Sequence, residues 1–345
     1  MSDKIISKEH LPRLLRALQK TYEVFVPVKE KDFYTFEPLP DEGTLELGFT
    51  NTRLSPKSLI VPQSERIFEF SLDEGSEDAH ILKEAPKHYP PTVIVGVRPC
   101  DARALRLVNV NFDSPEFKDP WWVRRLASLT LMGLGCNHPC STCFCTSVGG
   151  GPFSEESLDV LLVDCGDNLL ARALTEKGTK LLELGGVDQD AHKDLTKKAD
   201  EFKIEAEEKI SSHVPTDRLR DKHVKELFDA PLWDDVAFAC INCGACTFLC
   251  PTCWCFDIQD ELTKKHGDRI RNWDSCMFPL FTLHASGHNP RAEKLQRVRQ
   301  RFMHKLKYYV DKYDNGVACV GCGRCVNHCP VNIDIRAVFE LMNEV

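Results

Sequence analysis

The sequence carries one cysteine pattern twice, as CINCGACTFLCP at Cys240–Pro251 and as CVGCGRCVNHCP at Cys319–Pro330. Both stretches follow the spacing C-x2-C-x2-C-x3-C-P. Thiolates two residues apart let a tight turn wrap three corners of a metal cluster, and the fourth cysteine, followed by proline, extends to a neighbouring cluster. Eight cysteines in the same order twice are not a chance arrangement. The pair of runs therefore predicts a module with two clusters.

The spacing is that of bacterial 4Fe–4S ferredoxins, in which the last cysteine of each run binds the other cluster. Glycines at 244 and 323 would let backbone N–H groups approach the cluster sulfides. Zinc binding and free buried cysteines are the alternatives, but zinc has no need for the fourth Cys-Pro. The predicted ligands are Cys240, Cys243, Cys246 and Cys329 for cluster 1, and Cys319, Cys322, Cys325 and Cys250 for cluster 2.

Sixty-eight residues, 251–318, lie between the last cysteine of the first run and the first cysteine of the second, far more than in small ferredoxins. Much of this insert has a helical pattern, in QDELTKKH (259–266) and RAEKLQRVRQRFMHKLKYYVDKY (291–313). We therefore expect a C-terminal all-helical ferredoxin-like dicluster domain, of the kind found in subunits of larger redox complexes.

The N-terminal part predicts an α/β domain with a mostly parallel or mixed sheet. The strongest strand candidate is TVIVGV (92–97), a continuous β-branched run typical of a buried strand. Helices are predicted at 7–20, 102–110 and 168–184, because apolar residues recur there at helical spacing. Further strands are predicted at 23–28, 45–49, 58–62, 66–72, 126–135 and 158–166.

Composition changes divide the chain into three predicted regions. The α/β domain covers 1–186. A highly charged stretch at 187–230 predicts an exposed helical linker, although charge runs are in general solvated faces. The dicluster domain covers 231–345, where cysteine, aromatic and basic residues are enriched.

A third group of cysteines lies in the α/β domain. Cys136, Cys140, Cys143 and Cys145 are close in sequence, and Cys100 follows the strand at 92–97. Because ligands of open α/β sheets bind beyond the carboxyl ends of the strands, these cysteines can converge. They predict a third 4Fe–4S cluster held by Cys100, Cys136, Cys143 and Cys145, with Cys140 as the spare. Structural zinc and ordinary buried cysteines remain alternatives.

Other candidate residues have a weaker signal. Cys253, Cys255 and Cys276 could tune a cluster or bind another metal, but the aromatic residues beside them favour packing. Cys165 is expected in the core, and His284, His288 and His304 as structural or interface residues. Six basic residues are predicted to lie on one helix: Arg291, Arg297, Arg299, Arg301, Lys305 and Lys307. They could form a solvated face. Alternatively, they could compensate the charge of a cluster or dock a partner subunit.

The bulk properties narrow the function classes. The chain has 345 residues, 17 cysteines and a net charge of −8. Neither a signal peptide nor an apolar stretch of membrane-spanning length is visible, so the cysteines predict metal ligation in a reducing cytoplasm. The acidic balance gives no reason to expect nucleic acid as a partner. No G-x-G-x-x-G follows a strand, so a dinucleotide site of its own and catalytic residues are not predicted.

Several motifs together resemble one protein family. They are GVRPCDARAL, CFCTSVGGGP, CPTCWCFDI, RNWDSC, HASGHNPR, RFMHK and CVGCGRCVNHCPVNIDI. From about residue 92 onwards, the chain is similar to the iron–sulfur (beta) subunit of cytoplasmic NAD(P)-linked nickel–iron hydrogenases, or sulfhydrogenases. The A subunit of anaerobic sulfite reductase and the iron–sulfur subunit of flavin oxidoreductases linked to heterodisulfide reductase look like close relatives.

The resemblance implies an electron-transfer subunit between a flavoprotein with a nicotinamide site and a catalytic partner. It also implies cluster ligands at Cys100, Cys136, Cys143 and Cys145, and none at Cys140. Three alternatives stay open: an iron–sulfur subunit of a sulfite or heterodisulfide reductase, a freestanding ferredoxin-type carrier, and an enzyme with an open iron site. The surplus of cysteines argues against the last.

Overall fold

The computed structural model describes residues 3–41 and 45–345. Its strands are β1 (Lys4–Ser7), β2 (Glu23–Glu30), β3 (Phe33–Pro38), β4 (Ser64–Ser71), β5 (Lys83–Glu84), β6 (Thr92–Val97), β7 (Leu129–Leu134), β8 (Val160–Asp164), β9 (Asn168–Ala173), β10 (Phe256–Thr263) and β11 (His266–Trp273). Its helices are α1 (Leu11–Leu18), α2 (Lys57–Ile60), α3 (Pro99–Asn109), α4 (Pro120–Ser128), α5 (Glu176–Leu184), α6 (Lys193–Glu208), α7 (Val224–Asp229), α8 (Leu232–Phe238), α9 (Ala245–Phe248), α10 (Lys294–Met303), α11 (Tyr309–Tyr313), α12 (Arg324–Asn327) and α13 (Ile335–Glu344). A π-helical turn at His304–Tyr308 joins α10 to α11.

A mixed sheet forms the centre of the N-terminal part, as predicted. Within the described residues its strand order is β1-β9-β8-β7-β6-β2-β3. Strands β2, β6, β7 and β8 are parallel, and the outer pairs are antiparallel. Val93–Val97 are all buried, which explains the continuous apolar run, because helices cover both faces of a parallel sheet.

The parallel strands bring the third cysteine group to one edge. After β6 the chain enters α3, whose first residues are Pro99 and Cys100. After β7 it reaches Cys136, whose N–H donates to Pro152 O at 2.9 Å. These loops follow neighbouring strands at their carboxyl ends, where open α/β sheets bind ligands.

A second sheet corrects the prediction of an all-helical C-terminal domain. Its order is β10-β11-β4-β5, all antiparallel. The segment 259–266, predicted as helix, lies in β10 and in the tight turn to β11, where Lys264 has φ of +57°. Pairing of β11 with β4, which is distant in sequence, overrides the local helical pattern. The helical prediction for 291–313 is confirmed by α10, the π-helical turn and α11.

Three N-terminal predictions are also wrong. Residues 45–49 do not form a strand. Residues 57–60 form α2, because Pro56 precedes its first turn with φ of −66°. Residues 168–173 form β9 before α5 begins, because Gly166 adopts φ of +101° and lets the chain turn back against β8.

The charged stretch at 187–230 contains α6, which buries Ala199 and Ala206 and exposes most of its other residues. The C-terminal core surrounds Trp233, Phe302 and Phe339, which are each at most 1% exposed. The region boundaries at 186 and 230 stay predictions. No helix in the described part of the chain is long and apolar enough to cross a membrane.

Candidate metal centres

The cysteines predicted for cluster 1 line one cavity. It has about 400 Å³ of empty space, open solvent included, and Cys240, Cys243, Cys246 and Cys329 all face it. Gly244, at φ of +75°, turns the backbone between Cys243 and α9. Cys243 is exposed, so this cavity lies at the surface. The structure thus brings together the last cysteine of one run and the first three of the other.

The cysteines predicted for cluster 2 are buried deeper. The thiolate of Cys250 lies close enough to Cys319, Cys322 and Cys325 to act on the pKa of each. Burial raises the pKa of Cys319 to about 12. Four thiols in such a place need positive charge nearby to lose their protons, and cluster iron would supply it.

The N-terminal cysteines also surround a single cavity, with about 380 Å³ of empty space. Cys100, Cys136, Cys143 and Cys145 line it, and so does Cys140, the predicted spare. The thiols of Cys140 and Cys143 hydrogen-bond to each other, which lowers the pKa of Cys140 to about 6. Burial raises the pKa of Cys145 to about 12. All five cysteines therefore converge, and the choice of four stays a prediction.

This N-terminal cavity is in backbone contact with the second cysteine run. Phe144 N donates to Gly321 O at 2.9 Å, and Cys322 itself lines the cavity. Gly321 has φ of +63°, and a Cβ there would lie 2.5 Å from Cys145 N. Only glycine lets the two segments approach so closely. The N-terminal cavity is therefore next to the cysteines predicted for cluster 2.

Buried cations accompany each group of cysteines. Arg98 is 5% exposed beside the N-terminal cavity and donates to Gly135 O at 2.6 Å. Arg301 lines the cluster 1 cavity, and its Nε is buried without a hydrogen-bond partner. Burial alone would lower the pKa of Lys305, but thiolates including Cys250 raise it above its usual range. Positive charge at these places favours the thiolate form of the cysteines.

These contacts decide the interpretation of the basic helix. Arg297, Arg301, Lys305 and Lys307 are buried, so a fully solvated face is wrong. Burial alone would lower the pKa of Arg301. The charged groups that raise this pKa most are thiolates, namely those of Cys246, Cys325, Cys253 and Cys250. The proximity favours compensation of cluster charge.

A buried ion pair joins the second run to the sheet. Arg324, which follows Gly323, donates from its two terminal nitrogens, Nη1 and Nη2, to the carboxylate of Asp101, at 2.6 and 2.7 Å. Arg324 is 2% exposed and Asp101 1%. Because Asp101 directly follows Cys100, the pair holds the N-terminal cavity against the second cysteine run.

Cys276 lies in the C-terminal hydrophobic core and Cys255 packs against it, as expected of packing residues, and both line a further cavity with Cys253. Cys253, Cys255 and Cys276 face it together with His304 and Lys305. Lys57, which the sequence gave no reason to single out, is buried beside a neighbouring cavity that Cys253 and Cys255 also line, and it donates to Cys250 O at 2.8 Å. Among the described residues, no three Cys, His, Asp or Glu side chains have the arrangement of ligands around a single metal ion.

Comparison with known proteins agrees with this arrangement of cysteines. The family described as 4Fe-4S dicluster domain matches residues 239–333. The chain is 29% identical over 343 residues to sulfhydrogenase 2 subunit beta of Pyrococcus furiosus, covering 98% of each protein. It is 24% identical over 176 residues to the F420-dependent formate dehydrogenase subunit beta of Methanocaldococcus jannaschii, covering 49% of this chain and 37% of that protein. No solved structure matches.

The chain is therefore an iron–sulfur electron-transfer subunit that contains 4Fe–4S clusters. Within that class, its resemblance to the beta subunits of hydrogenases and sulfhydrogenases is confirmed over nearly the whole length of both proteins. Both relatives are named as subunits of oxidoreductases.

Proposed function

We propose that this chain relays electrons in the cytoplasm through three 4Fe–4S clusters, between a flavoprotein subunit that binds NAD(P) and a catalytic subunit such as a nickel–iron hydrogenase. The clusters are cluster 1, cluster 2 and a third cluster on Cys100, Cys136, Cys143 and Cys145. The observation that carries the proposal is the shared wall between the N-terminal cavity and the second run, formed by Gly321 and Cys322.

The order of the three sites supports a relay. The N-terminal cavity lies against the second run, and the first run completes its cavity with Cys329 of the second. When bound, 4Fe–4S clusters supply one-electron chemistry over short distances. The protein contributes thiolates, buried cations such as Arg301, and apolar packing that keeps water away from the inner site.

The residues around the first cysteine run are more exposed to solvent than those around the second. Phe238 and Ile241, on either side of Cys240, are 84% and 61% exposed. Cys319 and Val320 of the second run are 9% and 2% exposed. Electrons would therefore be exchanged with one partner near the first run and pass inward towards the N-terminal cavity.

The partners can be identified by purifying the native complex and sequencing its other chains. We expect a flavoprotein and a nickel–iron catalytic subunit. A sirohaem subunit or heterodisulfide reductase subunits would replace the hydrogenase assignment, and a lone monomer with full electron-carrying activity would overturn the subunit role.

The third cluster has its own test. Cys143→Ala should lower the iron and sulfide content of the anaerobically reconstituted chain by about one cluster, since a cubane needs its thiolates. Cys165→Ala is the matched control, because Cys165 is a buried cysteine that no proposed cluster uses. Unchanged iron and unchanged cluster spectra in the Cys143 variant would remove the third cluster from the relay.

A further inference from the structure

A six-residue sequence pattern occurs twice in the chain, once at the N-terminal cavity and once at the end of the first cysteine run. Residues 140–145 read CSTCFC and residues 250–255 read CPTCWC, so each is Cys-x-Thr-Cys-aromatic-Cys. In both segments the thiols of the first and second cysteines hydrogen-bond to each other, Cys140 with Cys143 and Cys250 with Cys253. In both, the second and third cysteines line a cavity. The two segments are thus built alike.

The cavity beside residues 250–255 has a set of metal-ligand side chains. It contains about 310 Å³ of empty space and is lined by Cys253, Cys255, Cys276 and His304. Cys253 and Cys255 are two residues apart in an irregular stretch that leads into β10. Asp274 N donates to Cys255 O at 3.0 Å and brings Cys276 alongside. The thiols of Cys255 and Cys276 hydrogen-bond to each other.

Buried positive charge borders this cavity. Arg301 and Lys305 both line it, and they are 5% exposed each. Arg301 Nε is buried without a hydrogen-bond partner. Lys305 Nζ donates to Thr252 Oγ1 at 2.8 Å and to Ala318 O at 3.2 Å, and it also hydrogen-bonds to the side chain of Cys250. Two buried cations beside three thiols fit a bound group whose net charge is negative, as thiolate-ligated iron–sulfur clusters are.

We propose that Cys253, Cys255, Cys276 and His304 bind an additional iron–sulfur cluster. Cys250 is assigned to cluster 2, just as Cys140 is left out at the N-terminal cavity. His304 supplies the fourth ligand atom, and its ring packs edge-on against Trp254 with the ring centres 5.0 Å apart. Thiolate and imidazole are both good ligands for iron. Because the comparison of the two segments rests on the third cluster of the proposed function, the test keeps the two sites separate.

The experiment measures iron, acid-labile sulfide and native mass of the full chain after anaerobic reconstitution. The wild-type chain should hold one cluster more than the three of the relay. The double variant Cys253→Ser/Cys255→Ser should lose about one cluster, and so should Cys143→Ser/Cys145→Ser, each from its own site. Cys165→Ser is the control and should keep all of its iron.

The outcomes distinguish the two proposals. Unchanged iron in the Cys253/Cys255 variant would overturn the additional site and leave the relay intact. Unchanged iron in the Cys143/Cys145 variant would instead remove the third cluster. His304→Gln covers the case in which the double variant does not fold. A changed electron paramagnetic resonance signal of one cluster supports the proposal, and a spectrum identical to wild type overturns it.

Discussion

The two cysteine runs have the same spacing and opposite surroundings. In the first run, Ile241 is 61% exposed and Cys243 faces solvent; in the second, the equivalent Val320 is 2% exposed. The residue after the shared glycine is Ala245 in the first run and the buried Arg324 in the second. The spacing therefore specifies what is bound, and the residues between the cysteines specify where the site lies in the molecule.

The largest effect should come from Gly321 in the second run. Gly321→Ala would place a Cβ 2.5 Å from the backbone of Phe144 and Cys145, at φ of +63°. We expect destabilisation of about 5 kcal/mol or more and loss of iron from cluster 2 and the N-terminal cavity. Thermal unfolding and iron content of the reconstituted chain measure both.

Gly244→Ala is the contrasting glycine change in the first run, at the position equivalent to Gly323. Its φ is +75°, but the added Cβ would lie 2.9 Å from the ring of Phe278, a side chain that can shift. A cost of about 1–2 kcal/mol is expected, with cluster 1 retained. Equal losses in the two variants would show that backbone contact with the N-terminal cavity is not what distinguishes the second run.

The next effect concerns the ion pair that the first run lacks. Arg324→Gln leaves Asp101, 1% exposed, as a buried carboxylate without its guanidinium partner. Removal of one partner of a buried pair costs about 3–5 kcal/mol, and we expect a value near the lower limit because Gln can still hydrogen-bond. The thermal unfolding midpoint should fall accordingly.

Arg269→Gln is the control for this variant. Arg269 pairs with Asp260 across β10 and β11 at 2.7 Å, and both side chains are more than a third exposed. Such a surface pair contributes under about 1 kcal/mol. A similar midpoint for the two variants would contradict the role given to the buried pair.

The smallest effect on stability should come from the exposed position of the first run. Ile241→Gln should change stability by less than about 0.5 kcal/mol and keep all iron, yet slow electron exchange with the partner that docks there. Val320→Gln, at the equivalent position, should destabilise by about 3 kcal/mol because an amide enters a packed core. Stopped-flow reduction in the native complex measures the rate; an unchanged rate for Ile241→Gln would place the docking surface elsewhere.

Local patterns in the sequence predicted the parts of the molecule that depend on near neighbours. The β-branched run at 92–97 forms β6, and the cysteine spacing predicted the set that lines the cluster 1 cavity. Contacts between distant residues account for the rest. The segment 259–266 is a strand because of β4, and Lys305 is buried because thiolates from both runs surround it. Lys57 has no local signal, since its partners are about 190 residues away in the chain.

The pairing of β4 with β11 has a consequence for biosynthesis. Arg66 on β4 donates to Asp268 on β11 at 3.4 Å, and the two residues are 202 positions apart in the chain. At about 5–20 residues per second, a ribosome needs roughly 10–40 s to make the intervening segment. During that interval one long edge of β4 has no partner, and unpaired edges invite association with other chains. The delay before β11 is synthesised should therefore limit the fraction of chains that fold correctly.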